Sequence, residues 1–197
     1  MPICLTFKEK YVIIDLRKEV KNMREANRTK SRKGNEFQNM LFEKYVSTYD
    51  GAAYFKNNQS YHIEGLGKKI SDVELELISH PNTRLIFEAT TSLRDDRYWA
   101  KEVQAKLIKE SLASEGKNCI YLLVVPDDTY YKAGSREIKN NRHFENLVNN
   151  EISKNHGIGA IDLFIRESDM MNFISFIDNS RFQMPSKLIS VYKNKNF

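Results

Sequence analysis

The sequence predicts an α/β domain, a mixed central sheet flanked by helices on both faces. Three observations lead there. From Ser71 to Leu77 the chain alternates strictly, with Val73, Leu75 and Leu77 on one face and Asp72, Glu74 and Glu76 on the other, the period of a half-buried strand. Cys119 to Val125 is continuously apolar and closed by Pro126, which suits a central strand covered on both sides. Between them, Asp95 to Glu115 has helical spacing and ends at Gly116.

The bulk properties agree. The 197 residues, 41% hydrophobic and 29% charged, suffice for one domain with a real core. A mean hydropathy of −0.58 and the lack of any long apolar run predict neither a membrane span nor a signal peptide. Two cysteines, Cys4 and Cys119, make neither a disulfide framework nor a zinc-ligand spacing, so the expected compartment is a reducing cytoplasm. A net charge of +5 permits a polyanionic partner.

In chain order, Lys8 to Lys33 holds ten Lys/Arg against four Asp/Glu. Apolar residues at 12, 13, 16, 20 and 23 make residues 1–33 a basic helical arm, either a solvated face or a strap for phosphates. Gly34-Asn35 reads as a helix start with Asn35 as N-cap, and the helix runs from Glu36 to about Tyr49. Phe37, Leu41, Tyr45 and Thr48 form its apolar stripe. A strand at Ser71–Leu77 turns through His80-Pro81-Asn82 into a second at Thr83–Thr91. The helix after it is expected to bury Trp99, Val103, Leu107 and Leu112. A polar loop (Asp127–Asn141), a helix (Arg142–Lys154), a short strand (Ile158–Phe164) and a last helix (Ser168–Ile177) follow the buried strand. The segmentation is thus an arm at 1–33, a core at 34–179 and a tail at 180–197.

The chemistry-bearing stretch lies across the two paired strands. Asp72 begins one and Glu88 lies late in the next, after the apolar Leu85-Ile86-Phe87. A turn centred between His80 and Asn82 sets Asp72 opposite position 89 or 90, next to Glu88; a turn centred on Pro81 also brings Glu74 opposite Glu88. Glu76, and Glu74 with it, read as solvated acids. Two carboxylates on rigid neighbouring strands are what metal-assisted phosphodiester hydrolysis requires. Other sites are weak. His62, His80, His143 and His156 have no ligand spacing, and no glycine-rich phosphate loop occurs.

A helix-borne Glu, an Asp at a strand start, Glu-x-Thr on the next strand and then a helix resemble the PD-(D/E)xK fold of restriction endonucleases, over roughly Gly34 to Val125. Ser71-Asp72 stands where that family has Pro-Asp, and Glu88-Ala89-Thr90 where it has Glu-x-Lys. Glu-x-Thr with a further Glu in the following helix, here Glu102, is similar to the AlwI and PleI branch of type IIS and nicking endonucleases. The resemblance implies a restriction-endonuclease-like mixed sheet with Asp72 and Glu88 as ligands of Mg²⁺, Mn²⁺ being a substitute. It implies Glu36 and Glu102 as further ligand or supporting carboxylates and Thr90 in the water-positioning place. Lys101 or Gln104 then replaces the missing Lys, a choice left open. By the same resemblance the chain is a site-specific deoxyribonuclease of a prokaryotic cytoplasm acting on double-stranded DNA. It is expected as the small strand-cleaving subunit of a heterodimer whose larger subunit recognises the site and nicks the other strand. Two alternatives stand beside this. One is a homodimer reading a palindrome through loops such as Tyr130–Arg136; the other is a DNA-binding module that lost catalysis, which Thr90 favours.

Overall fold

The computed structural model describes residues 32–63, 66–91, 95–128, 131–133, 136–138, 148–150 and 159–196. The chain forms two compact units, Met1–Glu36 and Phe37–Phe197. In the first, residues 32–36 are described and helical; the basic run from Lys8 to Ser31 lies outside the described residues.

Residues 32–41 are helical (α1), so Gly34 and Asn35 sit inside the helix rather than at its start. Phe42–Val46 continue as a π-helix. The strands are β1 (Ala52–Ile63), β2 (Gly67–Leu77), β3 (Thr83–Ala89) and β4 (Asn118–Val125). A small separate hairpin pairs β5 (Tyr131–Ala133) with β6 (Arg136–Ile138), and β7 (Leu163–Arg166) completes the main sheet. The long helices are α2 (Asp95–Ser114), α3 (Met170–Asp178) and α4 (Pro185–Asn196). Of the expected helix at 142–154, only 148–150 are among the described residues, and they are helical. No helix among the described residues is long and apolar enough to cross a membrane.

The fold is α/β. Five strands in the order β1-β2-β3-β4-β7 pair antiparallel for the first two ladders and parallel for the last two. The arrangement is consistent with the restriction-endonuclease-like sheet expected from the sequence. One face carries Val73, Leu75, Phe87 and Leu122 against Leu41, Phe173 and Leu188 of α1, α3 and α4. The other carries Ile86, Tyr121 and Leu123 against Ala105, Ile108 and Leu112 of α2. Residues 180–197, set apart as a tail by the sequence, contribute α4, whose Leu188, Ile189 and Tyr192 are buried in the first cluster. The Tyr192 ring meets Phe173 edge-on at 5.0 Å.

Two expectations are corrected. Trp99 and Val103 of α2 are each 46% exposed, not inward. The stripe that meets the sheet is Glu102, Ala105, Ile108 and Leu112, a three-to-four-residue spacing that starts with a charged side chain and so escapes a search for apolar residues. The short strand expected at 158–164 is instead Leu163–Arg166.

The β2–β3 register decides where the acids meet. Val73 pairs with Phe87, Glu74 with Ile86, Leu75 with Leu85 and Glu76 with Arg84. The turn is therefore centred on His80, and one step further the same register sets Asp72 opposite Glu88, not opposite 89 or 90. Asn82 supplies the turn's positive φ of 65°, a conformation asparagine tolerates.

Candidate functional site

Asp72 of β2 and Glu88 of β3 stand one step past the last paired residues, Val73 and Phe87, and Asp72 reaches β3 through the Ala89 N–H. Glu88 is fully buried. Its Oε1 is ion-paired with Lys101 Nζ of α2. Its Oε2 accepts from the Tyr121 hydroxyl of β4 at 2.7 Å and from Gln104 Nε2 of α2 at 3.1 Å. The Gln104 amide also donates to the Ile70 carbonyl at 2.8 Å, so it ties α2 to β2 beside Asp72. Lys101 and Gln104 stand three residues apart on one helical face, which is why both reach the same carboxylate.

Asp72 is held differently. Its Oδ2 accepts the Ala89 N–H at 2.9 Å, across the ladder. Its own carbonyl accepts from Gln38 Nε2 of α1 at 3.0 Å. Gln38 is buried and also donates to Asn57 Oδ1 at 2.6 Å. The strands are irregular at this point. Asn57 pairs with Val73 and Gln59 with Ser71, which leaves Asn58, at φ 57°, opposite Asp72. Ser71 and Glu74 would point to opposite faces of an ideal strand, yet Ser71 Oγ donates to Glu74 Oε1 at 2.6 Å. The pleat therefore changes phase at Asp72. Such irregularities re-aim a side chain.

Burial pushes the Asp72 carboxyl above the usual range, while the Lys101 charge and the Ala89 N–H pull it back. Burial lowers Lys101 below the ordinary lysine range, opposed by the charge of Asp72. The Tyr121 phenol is pushed well above its ordinary value, first by burial and then by Asp72, so it stays a donor to Glu88.

That donor set fits a divalent cation. Carboxylate oxygens are hard ligands, and Mg²⁺ is commonly held by one or two of them with water and substrate phosphate completing its shell. No group of three or more metal-ligating side chains occurs among the described residues, so Asp72 and Glu88 would hold the ion as a pair.

The other expected residues are held as follows. Thr90 is half-buried just past the end of β3, its N–H donating to the Val124 carbonyl at 2.9 Å. Glu102 is fully buried, and its Oε2 accepts the Ala160 N–H at 2.7 Å and the Ile161 N–H at 3.3 Å. Tyr98 donates to its other oxygen at 2.8 Å. Glu102 thus anchors the approach to β7. Glu36 closes the first unit, exposed and paired with Arg32 at 3.3 Å one helical turn away. The side chains of the Tyr130–Arg136 loop, and His143 and His156, lie outside the described residues. His80 is buried, its Nε2 3.0 Å from the Phe182 carbonyl and its Nδ1 2.9 Å from Ser79 Oγ.

Glu74 is a clear correction. It is fully buried rather than solvated, bonded to Tyr61, to Ser71 and, at 2.9 Å, to Arg84 NH1. Sequence reasoning also passed over Tyr121 and Gln38. A tyrosine inside a run as apolar as Cys119 to Val125 is itself a signal, because a buried phenol needs a partner. Gln38 gave none. No protein-family model, curated protein or solved structure matches this chain.

Proposed function

We propose that this protein is a divalent-metal-dependent DNA endonuclease of the restriction type. One observation carries the reading: Asp72 and Glu88 meet across the β2–β3 ladder with Lys101 of α2 ion-paired to Glu88. Thr90 in the Glu-x-Thr motif leaves that strand without its lysine, and α2 supplies one. A lysine that reaches Glu88 from α2 favours the active reading over the inactive module.

Asp72 and Glu88 would hold Mg²⁺ or Mn²⁺, which when bound polarises a phosphodiester, acidifies water and stabilises the leaving oxygen. Tyr121 and Gln104 fix the Glu88 carboxylate from one side. The Ala89 N–H and, through the main chain, Gln38 fix Asp72. Lys101 Nζ would orient an attacking water and, once in the neutral form that burial favours, accept its proton. The role of strand-cleaving subunit beside a larger site-recognising subunit on double-stranded DNA follows from the resemblance of Glu88-Ala89-Thr90 and Glu102 to the nicking branch.

The test is incubation of the purified chain with plasmid DNA and Mg²⁺, with and without a candidate larger subunit. Strand breaks that EDTA abolishes, and that become site-specific on adding the second protein, are expected. A discrete site-specific pattern from the chain alone overturns the subunit reading. No breaks with Mg²⁺ or Mn²⁺ under either condition overturns the nuclease.

A further inference from the structure

Among the described residues, two other than glycine take a positive φ, Asn82 at 65° and Asn58 at 57°. The first sits in the turn after His80, where a left-handed residue is routine. Asn58 stands in the middle of β1, with paired residues on both sides of it. A left-handed residue inside a paired strand is a local outlier, and such outliers gather at functional sites. Its neighbour Gln59 adds a second local cost, an Oε1 buried without a hydrogen-bond partner.

Both strands exchange faces at this rung. In β1, Phe55 meets Phe42 and Asn57 bonds Gln38 on the α1 side, yet Tyr61 and Ile63 pack in the α2 cluster. All four numbers are odd, and an unbroken strand would keep them on one face. In β2, Val73 and Leu75 lie in the α1-side cluster, whereas Ser71 shares Glu74 with Tyr61 on the α2 side. The pairs Asn57–Val73 and Gln59–Ser71 flank the exchange, and Asn58 and Asp72 are the residues between them. The α1 side of this rung is pinned. Gln38 bonds Asn57 Oδ1 at 2.6 Å and the Asp72 carbonyl at 3.0 Å, and Asn57 donates to Asn39 Oδ1 at 3.0 Å. At the point of exchange the Asp72 side chain turns sideways to β3, where its Oδ2 accepts the Ala89 N–H at 2.9 Å. A carboxylate thus takes the place that a β2 carbonyl would hold in a continued antiparallel ladder, and the ladder ends at Val73–Phe87.

We infer that Asn58 is a positioning residue for the acid pair. Its left-handed backbone lets β1 exchange faces at the rung where β2 does, and the shared exchange turns Asp72 out of the pleat towards β3. Glycine adopts a positive φ freely, whereas a β-branched residue resists it. The working part of Asn58 is therefore its main chain, not its exposed side-chain amide. That Asp72 holds a divalent cation with Glu88 rests on the nuclease reading above; the turn of Asp72 towards β3 does not.

The experiment separates the two by comparing Asn58→Val, Asn58→Ala and Asn58→Gly with the parent chain. Amide exchange followed by NMR reports the Ala89 N–H. The control is the Thr90 N–H on the other side of β3, bonded to the Val124 carbonyl at 2.9 Å. Mn²⁺ alone, titrated by its electron paramagnetic resonance signal, reports the acid pair, and thermal melting checks the fold. Asn58→Val is expected to speed Ala89 exchange roughly tenfold, with Thr90 unchanged, and to weaken Mn²⁺ binding about tenfold. Asn58→Ala should shift both in the same direction by less. Asn58→Gly should keep both at parent values, a rescue that a side-chain role would not allow. Unchanged Ala89 exchange in folded Asn58→Val or Asn58→Ala overturns the inference, as does equal deprotection in Asn58→Gly. Loss of folding in both the Val and Ala variants also overturns it, because Asn58 then holds the whole hairpin and not Asp72. A parent that binds no Mn²⁺, with Ala89 exchange still following residue 58, upholds the positioning and removes the metal site alone.

Discussion

Two acid clusters start on the same strand, two residues apart, and they are built to opposite ends. Glu74 and Glu76 share Arg84, as Asp72 and Glu88 share Lys101. In the first cluster the acids are tied down, although Arg84 Nε stays buried without a hydrogen-bond partner. Glu74 takes three donors, Arg84 reaches Glu76 at 3.2 Å with its second nitrogen, and its guanidinium lies 3.9 Å over the Tyr54 ring. In the second, Asp72 is only half-buried, takes one N–H on one oxygen, and is pushed towards its protonated form by burial. A planar guanidinium can satisfy two carboxylates bidentately, whereas an ammonium is a point charge on a flexible stem. The same count of charges therefore makes a fixed brace with Arg84 and an open site with Lys101. Two carboxylates and a cation are not by themselves a catalytic signature; the half-exposed carboxylate of Asp72, with one bonded oxygen against three donors on buried Glu74, is what separates them.

The comparison breaks most sharply at the open pair. Glu88→Gln and Asp72→Asn are expected to lower Mg²⁺-dependent DNA cleavage on the order of a thousandfold in a plasmid-nicking assay. Asp72→Asn should hold or raise stability at neutral pH. The folded state favours protonated Asp72, so ionisation above that raised value works against folding, and asparagine removes the conflict. A large loss of stability would make Asp72 a second brace.

At the closed pair the order inverts. Arg84→Ala leaves Glu74 buried and uncompensated, and about 3–5 kcal/mol of stability should be lost in urea denaturation. Cleavage per folded molecule should survive. If it falls as far as with Glu88→Gln, the two clusters act as one site.

Lys101→Ala tests whether α2 replaces the strand lysine. Removing a proton-transfer group costs about a hundredfold or more in turnover. Gln104→Ala, which loosens Glu88 without removing a charge, should cost less. Equal small losses for both would reduce Lys101 to a counter-ion. The pH profile sharpens this, since an Arg at 101 restores charge and not proton transfer.

The smallest effect concerns a third acid, Asp162, which pairs with Lys109 at 2.6 Å and accepts the Tyr121 N–H at 2.7 Å. Burial nevertheless raises its pKa, with Lys109 pulling the other way. The folded state then holds this proton more tightly than the unfolded chain, so its contribution to stability falls as pH rises from the usual carboxylate range through the raised value. Asp162→Asn should flatten that part of the stability–pH curve. An unchanged curve would place Asp162 with the satisfied acids.

Much of this was legible in the amino-acid order. Alternation gave β2, an apolar run gave β4, and the His80-Pro81-Asn82 turn gave the hairpin that joins Asp72 to Glu88, because each signal is local. What the order could not carry was position across space. β1, with Lys56-Asn57-Asn58-Gln59-Ser60 at its centre, has no strand period; it exists because β2 offers an edge to pair with. Glu74 and Asp72 look alike in sequence, and only Arg84, ten residues away and brought opposite Glu76 by the register, makes one of them a brace. Lys101 and Gln104 were both within reach on the sequence; packing of α2 brings both to Glu88, and only Lys101 brings a charge. Local sequence sets which residues form strand or helix, but burial, register and the choice of partner are properties of contacts between distant segments, and those were decided by the tertiary structure alone.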